Sequence, residues 1–306
     1  MLKLIWDQQR KVIKGGLHAD RSRYKGDSPG HLADQACSRA ALQGAPPVIG
    51  VLGAKGGVGA TTTAINLALA LAELPGSTAL VDANLQQPDA ATMLARDPRF
   101  TLLDILLRHS LPDKAVFDAC CMDLGELNTD CLLLSPPLNG EAQVRSNLTQ
   151  VAACLENVRG FADRWVFDLP GHLDRHLVTL MDSCNRILLL FEASFTGVAA
   201  AKRWLQVLAD LEYPEDKVIC VLSRAGSRST DLESQILACF GGQIVFKLPN
   251  ASKVAERSSL CGQPIITAFP NHAYSKAIRK LACQAIEGVQ RAEGEDAHLL
   301  PPNSNR

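Results

Sequence analysis

Little in this chain would tie it to a bilayer, to DNA or to a redox centre. No apolar run approaches the roughly eighteen residues that a membrane-spanning helix needs. The first residues carry charges without a long apolar core behind them, so no secretory signal is expected. Cysteine is present ten times but never in a C-x-x-C spacing. The thiols therefore read as small buried hydrophobes of a reduced, cytoplasmic protein. The formal net charge is −1, which excludes a whole-molecule electrostatic grip on nucleic acid.

What is there suffices for a full core: 306 residues, 47% of them hydrophobic. Strand and helix signals alternate without an internal linker, which favours one large domain over two small ones. The short apolar runs Ala79–Val81, Leu132–Leu134, Trp165–Phe167, Ile187–Leu190 and Val218–Leu222 suit strands buried on both faces of a parallel sheet. The expected fold is α/β: a doubly wound, mostly parallel sheet with helices on both faces, and a ligand at the carboxyl ends of the strands.

One segment points to a ligand that carries phosphate. The apolar stretch beginning Val48-Ile49-Gly50-Val51-Leu52 runs into Lys55-Gly56-Gly57-Val58-Gly59-Ala60-Thr61-Thr62, and the turn opens onto an alanine- and leucine-rich helix. Glycines there let the backbone approach a ligand closely. The N–H groups of the loop and first helical turn converge where the helix dipole favours an anion. That is a phosphate cradle, the alternative being a tight glycine turn with no ligand. The usual P-loop puts a lysine just before the Ser/Thr that reaches magnesium. Here that place is taken by Ala60, and the lysine stands earlier, at Lys55.

These residues resemble the deviant P-loop of the MinD/ParA superfamily, K-G-G-x-G-K-[ST], and the form K-G-G-V-G-A-T-T looks most like the CpaE/TadZ branch, which helps place type IVb (Flp/Tad) pilus and secretion machinery. The likeness extends from about Val48 to about Gln290. Thr78 to Asp89 sits where the family has its second strand and switch I, Phe161 to Leu173 where it has the Walker B strand and switch II, and Pro249 to Ile265 where the branch has the stretch after its last core strand.

The resemblance implies ATP and Mg2+ as ligands and a homodimer in which Lys55 reaches phosphates across the interface. Residues Gly56, Gly57, Val58, Gly59, Ala60, Thr61 and Thr62 would cradle the nucleotide. Thr61, Asp82 and Asp168 would hold the metal, although a strand-terminal acid such as Asp168 can also cap the following turn. Asn84 replaces the second switch I acid, which in the family positions the attacking water. Ser223 and Arg224 fall where the family reads the base with an asparagine. Without a lysine at 60 and an acid at 84, hydrolysis should suffer more than binding.

The two ends differ from the middle. Residues 1–47 form a basic, glycine- and proline-broken leader, too short for the receiver-like domain that many relatives carry. Leu2, Ile5, Trp6 and Ile13 fall near one helical face, which suits either docking on a partner or anionic membrane or a disordered leader. Lys276, Arg279 and Lys280 share a helical face that is either solvated or DNA-directed. The nucleotide-binding domain is expected over 48–290 and a flexible tail over 291–306. An iron–sulfur alternative would draw on Cys120, Cys121, Cys131 and Cys154, whose neighbours lack the glycine-rich settings that expose such ligands.

Overall fold

From Val48 onward, short β-branched and leucine-rich runs alternate with helices. The order is β1 Val48–Gly53, α1 Ala60–Ala72, β2 Thr78–Asp82, α2 Ala90–Met93, α3 Leu102–Leu106, α4 Lys114–Cys120, β3 Met122–Asp123, β4 Cys131–Leu134, α5 Leu148–Val158, β5 Arg164–Asp168, α6 Arg175–Ser183, β6 Arg186–Glu192, α7 Phe195–Asp210, β7 Val218–Ala225, α8 Thr230–Ala238, β8 Val245–Pro249, α9 Ser252–Leu260, α10 Ile265–Ala268 and α11 Ala273–Ala297. This computed structural model describes residues 45–85, 87–106, 113–124, 131–136, 148–226, 230–238, 240 and 245–297. The leader up to residue 44, with its apolar face at Leu2, Ile5, Trp6 and Ile13, lies outside the described residues, as do 298–306.

The described strands form one sheet in the order β3-β4-β2-β5-β1-β6-β7-β8. Every pair is parallel except β3–β4. The doubly wound, mostly parallel sheet is therefore as the sequence predicts. β1 lies inside it, with β5 on one side and β6 on the other, so the chain departs in opposite directions from the crevice above β1. Among the expected apolar runs, each lies within a strand. The two-residue β3 is too short for any periodicity to announce it.

Side chains alternate between two cores. Ile49, Val51, Leu188 and Leu190 pack toward α1 and α11, while Val48, Leu52, Ile187, Leu189 and Phe191 pack toward α5, α6 and α7. Both faces are covered, which is why these strands read as continuous apolar runs. The Leu67–Ala72 half of α1 is built from strong helix formers, and the helix is buried almost all round from Thr63 to Ala72. Its far end is tied down by Glu73, whose carboxylate accepts hydrogen bonds from Arg279 Nε and Nη2 at 2.7 and 2.8 Å. Of Lys276, Arg279 and Lys280, Arg279 is thus spent on packing α11 against α1.

The entry to β1 is also fixed by side chains. Asn185 Oδ1 accepts from the Val48 N–H at 2.8 Å and from Arg159 Nη2 at 3.0 Å, and Arg159 Nε donates to the Pro46 carbonyl at 2.9 Å. These bonds set the register from which the glycine loop departs.

Candidate functional site

β1 ends at Gly53, and the loop that follows is anchored at once by the Ala54 N–H, which donates to the Leu190 carbonyl at 2.8 Å. Gly57 (φ 76°) and Gly59 (φ 91°) take left-handed conformations that a side chain would strain. A Cβ placed on Gly56 or Gly57 would meet nothing within 4 Å, so open space lies over the loop. Gly59 is the N-cap of α1 and brings no side chain to cap it. The first-turn donors of α1 are left for a ligand, at the positive end of a helix that sits deep in the core.

Two residues of β7 brace this loop. Ser223 Oγ donates to the Val58 carbonyl at 2.8 Å, and Arg224 Nη2 donates to the Gly57 carbonyl at 2.8 Å. Val58 itself is buried in the α1-side core. The loop is consequently held from below by packing and from the side by β7. Ser223 and Arg224, expected at the base, spend these hydrogen bonds on the loop.

On the other side of β1, Asp82 and Asp168 end adjacent strands and pair in register. Both are buried, at 0% and 2% exposure. Asp82 accepts from the Ala90 and Asn84 N–H groups at 3.0 and 3.2 Å. The Thr61 side chain stands beside Asp168 and favours its ionised form. Burial pushes the Asp82 carboxyl up to about 7. It also pushes Asp168 well above its ordinary range, and the neighbouring Asp82 charge adds to the effect. Two buried carboxylates beside a helix-start hydroxyl form an oxygen donor set of the kind a hard divalent cation takes. The residues present fit magnesium there and a phosphate chain on the α1 amides.

The segments that follow β2 and β5 are joined through Ala83. The Ala83 N–H donates to the Asp168 carbonyl at 3.0 Å, and His176 Nε2 lies 3.2 Å from the Ala83 carbonyl. His176, near the start of α6, was not singled out in the sequence, where nothing marks it. Asn84 is partly exposed two residues past the end of β2, and its N–H is spent on Asp82. Ala60 and Thr62 lie in the first turn of α1, and the Thr62 carbonyl accepts from Asn66 Nδ2 at 2.7 Å.

Lys55 does not reach over the loop within this chain. Its Nζ lies 2.5 Å from Glu192 Oε1 and 3.4 Å from Thr196 Oγ1. The Lys55 hydrogen bond is the main reason the Glu192 carboxyl is held below its usual range. Sequence reasoning missed Glu192, although a signal was available: like Asp82 and Asp168, it is an acid ending an apolar strand.

The cysteines make a poor cluster site. Cys120 and Cys131 are buried and Cys121 and Cys154 half-buried. Burial pushes the thiols of Cys131 and Cys154 up to about 12 and 11, which opposes the thiolate that a metal requires. Among the described residues no group of three or more His, Cys, Asp or Glu side chains could hold a metal ion.

Comparison with known proteins leads to the same loop. A family model described as ParA: NUBPL iron-transfer P-loop NTPase matches residues 45–110. The chain is similar to an iron–sulfur cluster carrier protein of Helicobacter pylori, 25% identical over 261 residues that cover 81% of this chain and 68% of the relative. Among solved structures, a ParA family ATPase from Chlorobium tepidum superposes with a TM-score of 0.71 at 24% identity, covering 78% of this chain and 99% of that one. The septum site-determining protein MinD of Pyrococcus horikoshii, solved with Mg-ADP, superposes with a TM-score of 0.64 at 18% identity, covering 81% and 98%.

Proposed function

We propose that this chain, which has the P-loop NTPase fold of the ParA/MinD superfamily, binds ATP with Mg2+ and forms a nucleotide-dependent homodimer that positions or helps assemble type IVb (Flp/Tad) pilus or secretion machinery, with weak hydrolysis. One observation carries the nucleotide reading: the α1 N-terminus is uncapped at Gly59, and Thr61 in its first turn stands beside Asp168 of the buried Asp82–Asp168 pair.

In this reading the amides from Gly56 to Thr62 bind phosphate oxygens, and Ser223 and Arg224 act through the loop they brace. Thr61, Asp82 and Asp168 would hold magnesium, which when bound neutralises phosphate charge. Lys55 serves the nucleotide of a partner subunit. The nucleotide-binding domain is taken as 48–290.

Magnitudes favour binding over turnover. A charge-assisted hydrogen bond of the kind a lysine at 60 would supply contributes about 1.5–3 kcal/mol, or one to two decades of affinity. A cation directed at the transition state is worth roughly 10³–10⁵ in rate. With Ala60 and Asn84 in place, ATP can be held where hydrolysis is slow, which suits a scaffold more than a cycling motor.

The pilus assignment rests on the K-G-G-V-G-A-T-T form of the loop. The protein would act in the cytoplasm, recruited to the inner face of the membrane or the cell pole. The alternatives are a cycling partition, flagellar- or cellulose-placement ATPase, and a pseudo-ATPase binding module. A cluster-carrier role has less support, because the four candidate cysteines are buried or half-buried. Binding of labelled ATP with magnesium, followed by single-turnover hydrolysis, separates the readings. Tight binding with slow turnover is expected; turnover near one per second, or no binding, would overturn it.

A further inference from the structure

The side chain proposed to act on a partner's nucleotide is tied within its own subunit. Glu192 ends β6 and pairs in register with Ser223, so it stands across β1 from the Asp82–Asp168 pair. One of its carboxylate oxygens meets Lys55 Nζ at 2.5 Å, and the other lies 3.5 Å from Arg224 Nη1. Arg224 at the same time donates to the Gly57 carbonyl.

Glu192 is held in this pose from behind. Ser194 is the N-cap of α7, accepting the Gly197 N–H at 3.0 Å, and its hydroxyl donates to Glu192 Oε1 at 3.0 Å. Gly197 leaves just enough room: a Cβ there would stand 2.5 Å from the Glu192 carbonyl oxygen and 2.9 Å from its Cγ. A second contact, to Thr196 Oγ1, guides the lysine to the same spot. The carboxylate thus occupies Lys55 in the way a phosphate oxygen would.

The geometry points to Glu192 as a positioning residue that retains Lys55 on its own subunit and so sets how readily nucleotide brings two subunits together. This rests on the reading of Lys55 as the cation given to a partner. Lys55 can serve Glu192 or a phosphate, and the apparent strength of dimerisation falls by the fraction of lysine that is held back. A symmetric dimer requires two such releases, so the effect of each site enters twice. Because the ion pair is partly exposed, solvent screens it, and its loss is expected to shift dimerisation by roughly three- to tenfold.

The test uses the full chain with Mg2+ and a saturating non-hydrolysable ATP analogue, read by sedimentation velocity over a protein dilution series. Wild type is compared with E192Q, K55A, the double variant and T196V. Glu192→Gln keeps shape and removes charge, and it should lower the concentration for half-dimerisation roughly three- to tenfold. Thr196→Val should shift it less, in the same direction. K55A and the double variant should both remain monomeric, since a merely structural Glu192 would not make its effect depend on Lys55. If E192Q dimerises no better than wild type while K55A stays monomeric, the retention role is overturned and the Lys55 reading stands. If K55A dimerises like wild type, or no variant dimerises with analogue, the Lys55 reading fails and takes this role with it.

Discussion

Asp82 and Asp168 stand opposite each other at the ends of two adjacent parallel strands, both buried, with the Thr61 side chain beside the second. Carboxylates so placed repel one another unless a proton or a cation intervenes. Asp168→Asn is expected to lower affinity for magnesium nucleotide by tenfold or more and to leave nucleotide binding in EDTA much less affected. Calorimetric titration of ATP with and without Mg2+ reads the difference; equal losses in both would show that Asp168 is not a metal residue.

The slow-turnover argument is tested by gain of function. Ala60→Lys with Asn84→Asp is expected to raise single-turnover hydrolysis by about 10³-fold, with ATP affinity changing far less. An unchanged rate in a variant that still binds ATP would reject the account of why hydrolysis is weak.

Ser223 ties β7 to the glycine loop. Ser223→Ala leaves the Val58 carbonyl without its donor in a buried place, at a cost of about 1–3 kcal/mol. Nucleotide affinity should fall about tenfold, with a matching loss of thermal stability in the nucleotide-free chain. Loss of affinity without loss of stability would instead favour direct contact with the base.

Glu192 also provides a pH signature. Its folded-state pKa is lowered from 4.5, chiefly by the Lys55 hydrogen bond. Its contribution to stability is therefore present above pH 4.5 and lost as the pH falls through the lower folded value. Melting curves of wild type and E192Q should differ near neutrality and converge in acid. A gap that widens in acid would show the sign to be wrong.

The core has its own prediction. Trp165 is 1% exposed, packs 5.7 Å from the Phe117 ring centroid, and donates its indole N–H to the Arg159 carbonyl at 2.8 Å. Trp165→Ala is expected to cost about 3–5 kcal/mol in urea unfolding. A cost below 1 kcal/mol would mean that the α5-side core collapses around the gap.

How far the sequence could be read follows from the range over which each feature is specified. The glycine loop is local: its left-handed turns, the missing cap at Gly59 and the alanine-rich helix after it all lie within a few residues. The long inner strands are legible for a similar reason, because a strand buried on both faces must be apolar at every position. The edge strand Met122–Asp123 is two residues long and borrows its conformation from β4, so nothing in its own composition announces it.

Side-chain pairings were harder. Ser223 and Arg224 invited a base-reading role by their place in the chain, yet their partners are carbonyls of the loop more than 160 residues earlier. Arg279 looked like part of a basic face until Glu73, at the end of α1, became its neighbour.

Order along the chain is enough to place a helix at a glycine turn able to grip phosphate, and acids at the ends of the strands on which it rests. Packing of the strands sets which charged groups meet: Asp82 with Asp168 on one side of β1, Glu192 with Lys55 on the other. The reason is physical. Backbone conformation is set by neighbours along the chain, whereas a charge finds its counterpart only once the sheet order β2-β5-β1-β6-β7 has brought distant strand ends together.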